Sequence, residues 1–391
     1  MTPQSGNMPV LTARLLFVIA MGAGLAVANL YYSQPILGLI GNELHNASHI
    51  SLVTTVTQIS YAVGLLLLVP LCDILDRRNL ILLLCLVLVF GCCACALAPD
   101  LLSLIVGSVA MGLAACITQM LLPVAADLAT DETRGKSLGF ALSGALSGIL
   151  LARVASGFIA QWLGWRAAFW MAAMLAIMLF VMMEIALPTF PRKTKLPYTA
   201  LLHSMLFLPI QFRALRFACL IQACIFGAFS AFWSVFAIYL EGQPFHLGAA
   251  ATGFFGLIGI VGILSARGGG NVIDRFGARS GVFLGILACT AAFGIMAATR
   301  NIASLVISVV LLDCGLSLSQ VSNQSVILGL SDESRGRINT VYMTSLFIGG
   351  ALGSAIAGYE WSLYQWQGVV ATCGGLCIIA VITHIVERTK K

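Results

Sequence analysis

A six-residue block occurs twice in this chain. Asp131-Glu132-Thr133-Arg134-Gly135-Lys136 and Asp332-Glu333-Ser334-Arg335-Gly336-Arg337 stand 201 positions apart. The same offset carries Asp73 to Asp274, Gln119 to Gln320, Gly148 to Gly349, Gly157 to Gly358 and Trp165 to Trp366. One register held from residue 73 to residue 366, through a Trp and a whole block, is an internal repeat of about half the chain. Whatever the chain folds into must therefore be built from two similar units.

The units are not soluble ones. Charged residues make up 9% of the chain and hydrophobic residues 60%, against about 25% charged in a soluble domain. Most of the surface must face lipid. The net charge of +6 is then no sign of nucleic acid, since basic residues are retained in cytoplasmic loops. Most of the twelve Cys lie inside apolar runs, as in Cys92-Cys93-Ala94-Cys95, and read as small packing residues. Arg14, an apolar run and Ala26-Val27-Ala28 imitate a secretory signal. The apolar stretch continues to Ile40, however, and reads as a first transmembrane span.

A spanning helix needs about 20 mainly apolar residues. That rule gives an all-α fold of twelve spans, at 12–40, 50–71, 79–97, 101–126, 137–160, 167–187, 215–240, 247–269, 280–298, 302–329, 338–359 and 368–386. Two six-helix halves follow, 1–187 and 215–391, joined by the polar linker 188–214 with Pro188, Pro191, Arg192, Lys193 and Lys195. With the N-terminus inside, seventeen of the 21 Lys and Arg fall on the cytoplasmic side. The opposite orientation would put those seventeen outside, against the bias of membrane proteins. Both ends are therefore expected in the cytoplasm.

The connection after the eighth span reads Gly270-Asn271-Val272-Ile273-Asp274-Arg275-Phe276-Gly277-Ala278-Arg279. It resembles the loop signature of the major facilitator superfamily, Gly-x-x-x-Asp-Arg-x-Gly-Arg and a further basic residue. The first-half counterpart keeps Asp73 and ends on Arg77-Arg78. Asn29-Leu30-Tyr31-Tyr32-Ser33-Gln34-Pro35, the Arg-Gly turns at Arg134 and Arg335, and Gly164-Trp165-Arg166 resemble the bacterial drug:proton antiporter group and its inner-membrane transporters. The resemblance covers nearly the whole chain. It implies the twelve-helix facilitator fold, alternating access, and loops in which Asp73, Arg77, Arg78, Asp274, Arg275, Gly277 and Arg279 help hold one face shut. A loop carboxylate meets helix N-termini and Arg binds carboxylates, so a latch is physically reasonable; a solvated turn retained for topology is the other reading. The chain departs from the group at three places. Ser108 stands where the fourth span usually has Arg, Ile149 follows Gly144 and Gly148 where Pro is usual, and Val69 and Asp76 replace loop glycines.

Ionisable groups inside a membrane are rare and mark function by default. Asp313, Arg153 and Arg267 lie within spans. Asp313, Ser317, Gln320 and Gln324 share one helical face, far more polar than the first-half equivalent that contains Gln119. A polar stripe facing lipid is costly, so this face is expected toward a cavity; for Ser317 or Gln324 alone, interhelical bonding is an equal alternative. Asp313 and Arg153 fall at similar depth and are expected to pair, with protonation of Asp313 releasing the pair. Asn29, Tyr32, Gln222, Trp233 and Tyr342 complete the expected cavity. Phe226 and Phe229 share the Gln222–Trp233 face and read equally as core.

Enzyme signatures fail. Gly135-Lys136-Ser137 ends like a phosphate loop, but Thr130 stands where Gly is required. The His residues, at 45, 49, 203, 246 and 384, have no metal spacing. The expectation is a monomeric secondary transporter without cofactor, exporting small organic or amphiphilic compounds in exchange for protons. A metabolite symporter or uniporter, or a receptor that binds without flux, remain the alternatives.

Overall fold

Helix starts repeat along the chain. Asp100 accepts from the Ser103 N–H at 2.8 Å while Ser103 Oγ accepts from the Asp100 N–H at 3.3 Å. Asn301 and Ser304 rebuild the same box 201 positions later, at 2.8 and 3.4 Å. Each box satisfies donors that a helix N-terminus otherwise leaves orphaned.

The computed structural model describes residues 11–45, 49–130, 132–190, 197–262, 275–331 and 333–389, without the Arg388 side chain. Among them the regular structure is helical throughout: α1 Ala13–Ala28, α2 Leu37–Glu43, α3 Ser51–Leu67, α4 Arg77–Ala96, α5 Leu101–Ala115, α6 Ile117–Asp127, α7 Arg134–Leu163, α8 Trp165–Ala186, α9 Tyr198–Gln211, α10 Arg213–Glu241, α11 Ala249–Leu257, α12 Ala278–Ala298, α13 Ile302–Ile327 and α14 Arg335–Thr389. Among the described residues nine helical segments are long and apolar enough to cross a bilayer, with Ala13–Ala28 and Ala249–Gly262 as shorter apolar helices. Arg267 and Asp274, both singled out from the sequence, lie outside the described residues, as do Asp131, Asp332 and the basic linker residues.

Four expected spans differ in detail. The first is broken: α1 stops at Ala28, a turn follows, and Pro35 sits in a short 3-10 helix, Gln34–Ile36, before α2. Proline has no N–H to continue an α-helix, and its fixed φ suits a helix start. The fourth is interrupted at Cys116, between α5 and α6. The last two join in α14, broken at Gln365, where φ is 54° and ψ −144°. Gly164 occupies the equivalent place between α7 and α8, at φ 84°. Glycine takes that region without penalty and Gln does not.

The helices pack α1 on α7, α3 on α5, α4 on α5 and α8, α10 on α14 and α12 on α13. The broadest contacts between residues before 188 and residues after 214 are α3 on α14 and α7 on α11. Backbones touch at small residues. A Cβ on Gly24 would fall 2.6 Å from the Gly144 carbonyl oxygen, and one on Gly227 2.9 Å from that of Gly349. Small residues at four-residue spacing allow this approach in lipid, where packing rather than water drives association. α10 is the most enclosed helix, buried almost along its length. None of the twelve Cys is in a disulfide, and all are buried or half-buried.

Candidate functional site

Arg153 lies on α7 and is only 2% exposed. Its Nε donates to Gln34 Oε1 at 2.9 Å. Its guanidinium sits over three rings, with Cζ 4.0 Å from the Trp233 centroid, 5.0 Å from Tyr31 and 5.5 Å from Phe229. Ring faces are negative, so they attract a cation held away from water. The seat exists because α11 is thin there. A Cβ on Gly256 would lie 2.9 Å from Arg153 Cβ and Cδ.

Asp313, buried on α13, faces the same glycine stretch one turn further on. A Cβ on Gly262 would lie 3.0 Å from Asp313 Cβ, and one on Gly259 would lie 3.9 Å from its Oδ2. The two charges are near enough to act on each other. They are not joined by an ion pair among the described residues. Oδ2 of Asp313 and Nη2 of Arg153 have no hydrogen-bond partner there, and neither do Gln34 Nε2 and Trp233 Nε1. The expected direct contact is thus replaced by rings and an amide around the guanidinium.

The row on α10 runs toward this site. Phe226 stacks on Phe229 at 5.7 Å, and Phe229 meets Trp233 at 6.2 Å. At the far end Gln222 Oε1 accepts from Ser319 Oγ at 3.0 Å and from Asn323 Nδ2 at 3.3 Å. Tyr342 is buried beside Asn323. Ser317, Gln320 and Gln324 are only half covered; Ser317 lies beside Gly262, and Gln324 donates to Asn339 at 3.4 Å. Gln119, also half covered, stands beside Tyr61.

Two expected cavity residues point elsewhere. Asn29 donates to the carbonyls of Leu25 and Ala26, at 2.8 and 3.3 Å, and accepts from Cys92 Sγ at 3.3 Å. Tyr32 also lies by Cys92. Both face α4, because the chain leaves helical geometry at Ala28 and turns the other face of the motif, Tyr31 and Gln34, toward Arg153. Those two residues were missed for that reason. Gln34 next to Pro35 was the available signal, since the proline marks where helical spacing stops applying.

The loop residues bond locally. Arg77, 5% exposed, binds Asp127 at 2.7 Å and the Cys72 carbonyl at 3.4 Å, with Asp73 at 3.7 Å. Arg78 binds the Glu184 carboxylate at 2.8 Å. These bonds stay within residues 1–187. Arg275 lies over its neighbour Phe276 at 5.3 Å, Gly277 caps α12 at φ 82°, and Arg279 is exposed. Arg134 donates to the Ala126 carbonyl at 3.2 Å and Arg335 to that of Leu328 at 3.0 Å, so each closes the end of the preceding helix.

At the end of the molecule nearest Glu43, Trp165 Nε1 donates to the Glu43 carboxylate at 2.7 Å and Arg166 bonds its other oxygen. The Arg166 hydrogen bond holds the Glu43 carboxyl below its ordinary range.

The site is thus a helical bundle with two buried charges set along one glycine-rich helix. The sequence matches the Major Facilitator Superfamily over residues 16–272 and 268–391, and the chain belongs to that family. It is a multi-pass membrane protein of a family of transporters. It is similar to the "Uncharacterized transporter YgaY" of Escherichia coli O157:H7, 34% identical over 374 residues, covering 95% of both chains. It is also similar to "Probable transporter SCO4007" of Streptomyces coelicolor, 32% identical over 383 residues, 96% of this chain and 88% of that one. In fold it resembles the nucleoside transporter NupG, with a TM-score of 0.78 at 12% identity, covering 95% of this chain and 99% of that one. A bacterial homologue of the lysosomal transporter Spinster gives 0.76 at 16% identity, covering 96% of each.

Proposed function

We propose that this chain exports small organic or amphiphilic compounds across a bacterial inner membrane in exchange for protons, by alternating access. In this reading the chain crosses twelve times, as halves 1–187 and 215–391 around the linker 188–214, with both ends in the cytoplasm. The sequence around Gly135-Lys136-Ser137 does not complete a phosphate loop, so in this reading a gradient supplies the energy. The Asp313 carboxylate takes the proton and Arg153 senses its charge. When Asp313 is charged it attracts the guanidinium along the Ala249–Gly262 stretch; when it is neutral, rings and Gln34 alone hold Arg153. The two charge states therefore favour different packings of α7 and α13 about α11. Gln222, Trp233, Ser317, Gln320, Gln324, Tyr342 and Gln119 line the substrate path in this reading.

The observation that supports it most is the relation between Arg153 and Asp313. Both are buried, they come from distant parts of the chain, and each keeps an unbonded polar atom. A permanent structural pair closes its hydrogen bonds, because unmet buried donors and acceptors cost about 1–3 kcal/mol each. Groups that change partner during a cycle cannot be bonded in every state. The test is proton movement in inverted, energised vesicles while a panel of organic compounds is added. Substrate-dependent proton release from the lumen is expected. Proton movement in the opposite sense would make the chain an uptake symporter, and substrate flux with no proton movement a uniporter; either refutes exchange.

A further inference from the structure

The same site says what charges a substrate should carry. Among the described residues, three buried donors lie together without acceptors: Nη2 of Arg153, Nε2 of Gln34 and Nε1 of Trp233. They belong to one cluster, since Arg153 Nε bonds Gln34 at 2.9 Å and its Cζ lies 4.0 Å from the Trp233 ring centroid. Gln34 is 0%, Arg153 2% and Trp233 1% exposed. An oxyanion is the partner that satisfies three donors and one positive charge at once. One helical turn along, Asp313 presents the opposite need, a buried acceptor oxygen without a donor. Gly256 seats Arg153 and Gly259 faces Asp313, three residues apart on one helix. The donor and acceptor poles therefore lie against the same glycine-rich helix.

We propose that this pair of poles binds a zwitterion, the carboxylate of an amino-acid-like compound on Arg153, Gln34 and Trp233 and its ammonium on Asp313. The assignment rests on the exchange reading above and deepens it. An ammonium and a proton compete for one carboxylate, and that competition is what exchange requires. An anion alone would leave Asp313 unmatched; a cation alone would leave three donors and a guanidinium unmatched. The rings of Trp233, Phe229 and Tyr31 then cover an apolar or aromatic side chain, and substrate access goes with movement of α10 against α7.

The test is equilibrium binding to the purified full-length protein, with apolar and aromatic amino acids as probes. Each is compared with its amide, which keeps only the positive charge, and its N-acetyl form, which keeps only the negative one. The expected result is that the free amino acid binds and both derivatives bind at least about tenfold more weakly, each losing bonds to a charged group. Trp233→Phe keeps a ring and removes one donor. It should weaken the amino acid and the N-acetyl form severalfold and leave the amide unchanged. Binding of an amide or N-acetyl form as tight as the amino acid, or no binding by any amino acid, overturns the zwitterion assignment. Amino-acid binding with the expected preference but no proton movement in vesicles upholds the assignment and refutes the exchange reading instead.

Discussion

Two buried arginines, Arg77 and Arg153, are held in opposite ways. Arg77 is 5% exposed and fully engaged, with Asp127 at 2.7 Å, a backbone carbonyl at 3.4 Å and Asp73 at 3.7 Å. Arg153 is 2% exposed and has one hydrogen bond, to a neutral amide, with rings on its faces and Nη2 unbonded. Burying an ion is costly, and a pair recovers the cost only with close, complete contacts. Arg77 meets that condition and acts as a staple between α4 and α6. Arg153 does not, and a residue kept at such a cost must be useful in another state. Burial alone therefore does not distinguish structure from function, whereas completeness of bonding does.

The sharpest way to break this comparison is to remove each charge. Arg77→Met should destabilise the protein by about 3 kcal/mol, because it removes the ion pair with Asp127 and the bond to the Cys72 carbonyl at a buried site. Arg153→Gln should stay within about 1 kcal/mol of the parent, since Asp313 is free to take up a proton in its place. Thermal unfolding in detergent measures both, and equal losses would mean that Arg153 is a staple too. Next in size, Gly256→Ala should cost about 1–2 kcal/mol, because the new Cβ lies 2.9 Å from Arg153 and the seat has to shift. Transport should fall more than stability does. Trp233→Leu removes the nearest ring and should cost roughly 0.5–2 kcal/mol of the guanidinium's stabilisation, seen as weaker substrate binding with the protein still folded.

The smallest effect belongs to Glu43 and Arg166. The folded-state carboxyl of Glu43 is held below its ordinary range. Its contribution is therefore present above the unfolded pKa and fades as pH falls through the folded one. Unfolding scans between neutral and acid pH should show a slight loss that Arg166→Ala abolishes. The pair is half exposed, so the slope is shallow.

Much of this was legible in the sequence. Apolar run lengths placed most of the helices, and the turn signals at Ala98-Pro99-Asp100 and Thr299-Arg300-Asn301 stand where the twin capping boxes form. Arg153 and Asp313 stood out because charge is rare in lipid, and Trp233 came from helical spacing on α10. Spacing failed where the helix did. Asn29 and Tyr32 are expected in the cavity on an unbroken first span, yet α1 ends at Ala28, so Tyr31 and Gln34 reach Arg153 instead. On α13, Ser319 and Asn323 bind Gln222, while the face chosen through Asp313 holds Ser317, Gln320 and Gln324 half covered. A single helix cannot reveal which neighbour lies on which flank. Nor could the loop pattern show that Arg77 would find Asp127, fifty residues away, within its own part of the chain.

The central claim is that Asp313 exchanges its proton for substrate beside an incompletely bonded Arg153. The most direct measurement is proton release from purified protein in weakly buffered detergent solution when a transported compound is added. The account predicts release of about one proton per protein at a pH where Asp313 is protonated, falling to none in Asp313→Asn although that variant still folds. Equal release by the parent and Asp313→Asn, or uptake by the parent, would contradict it.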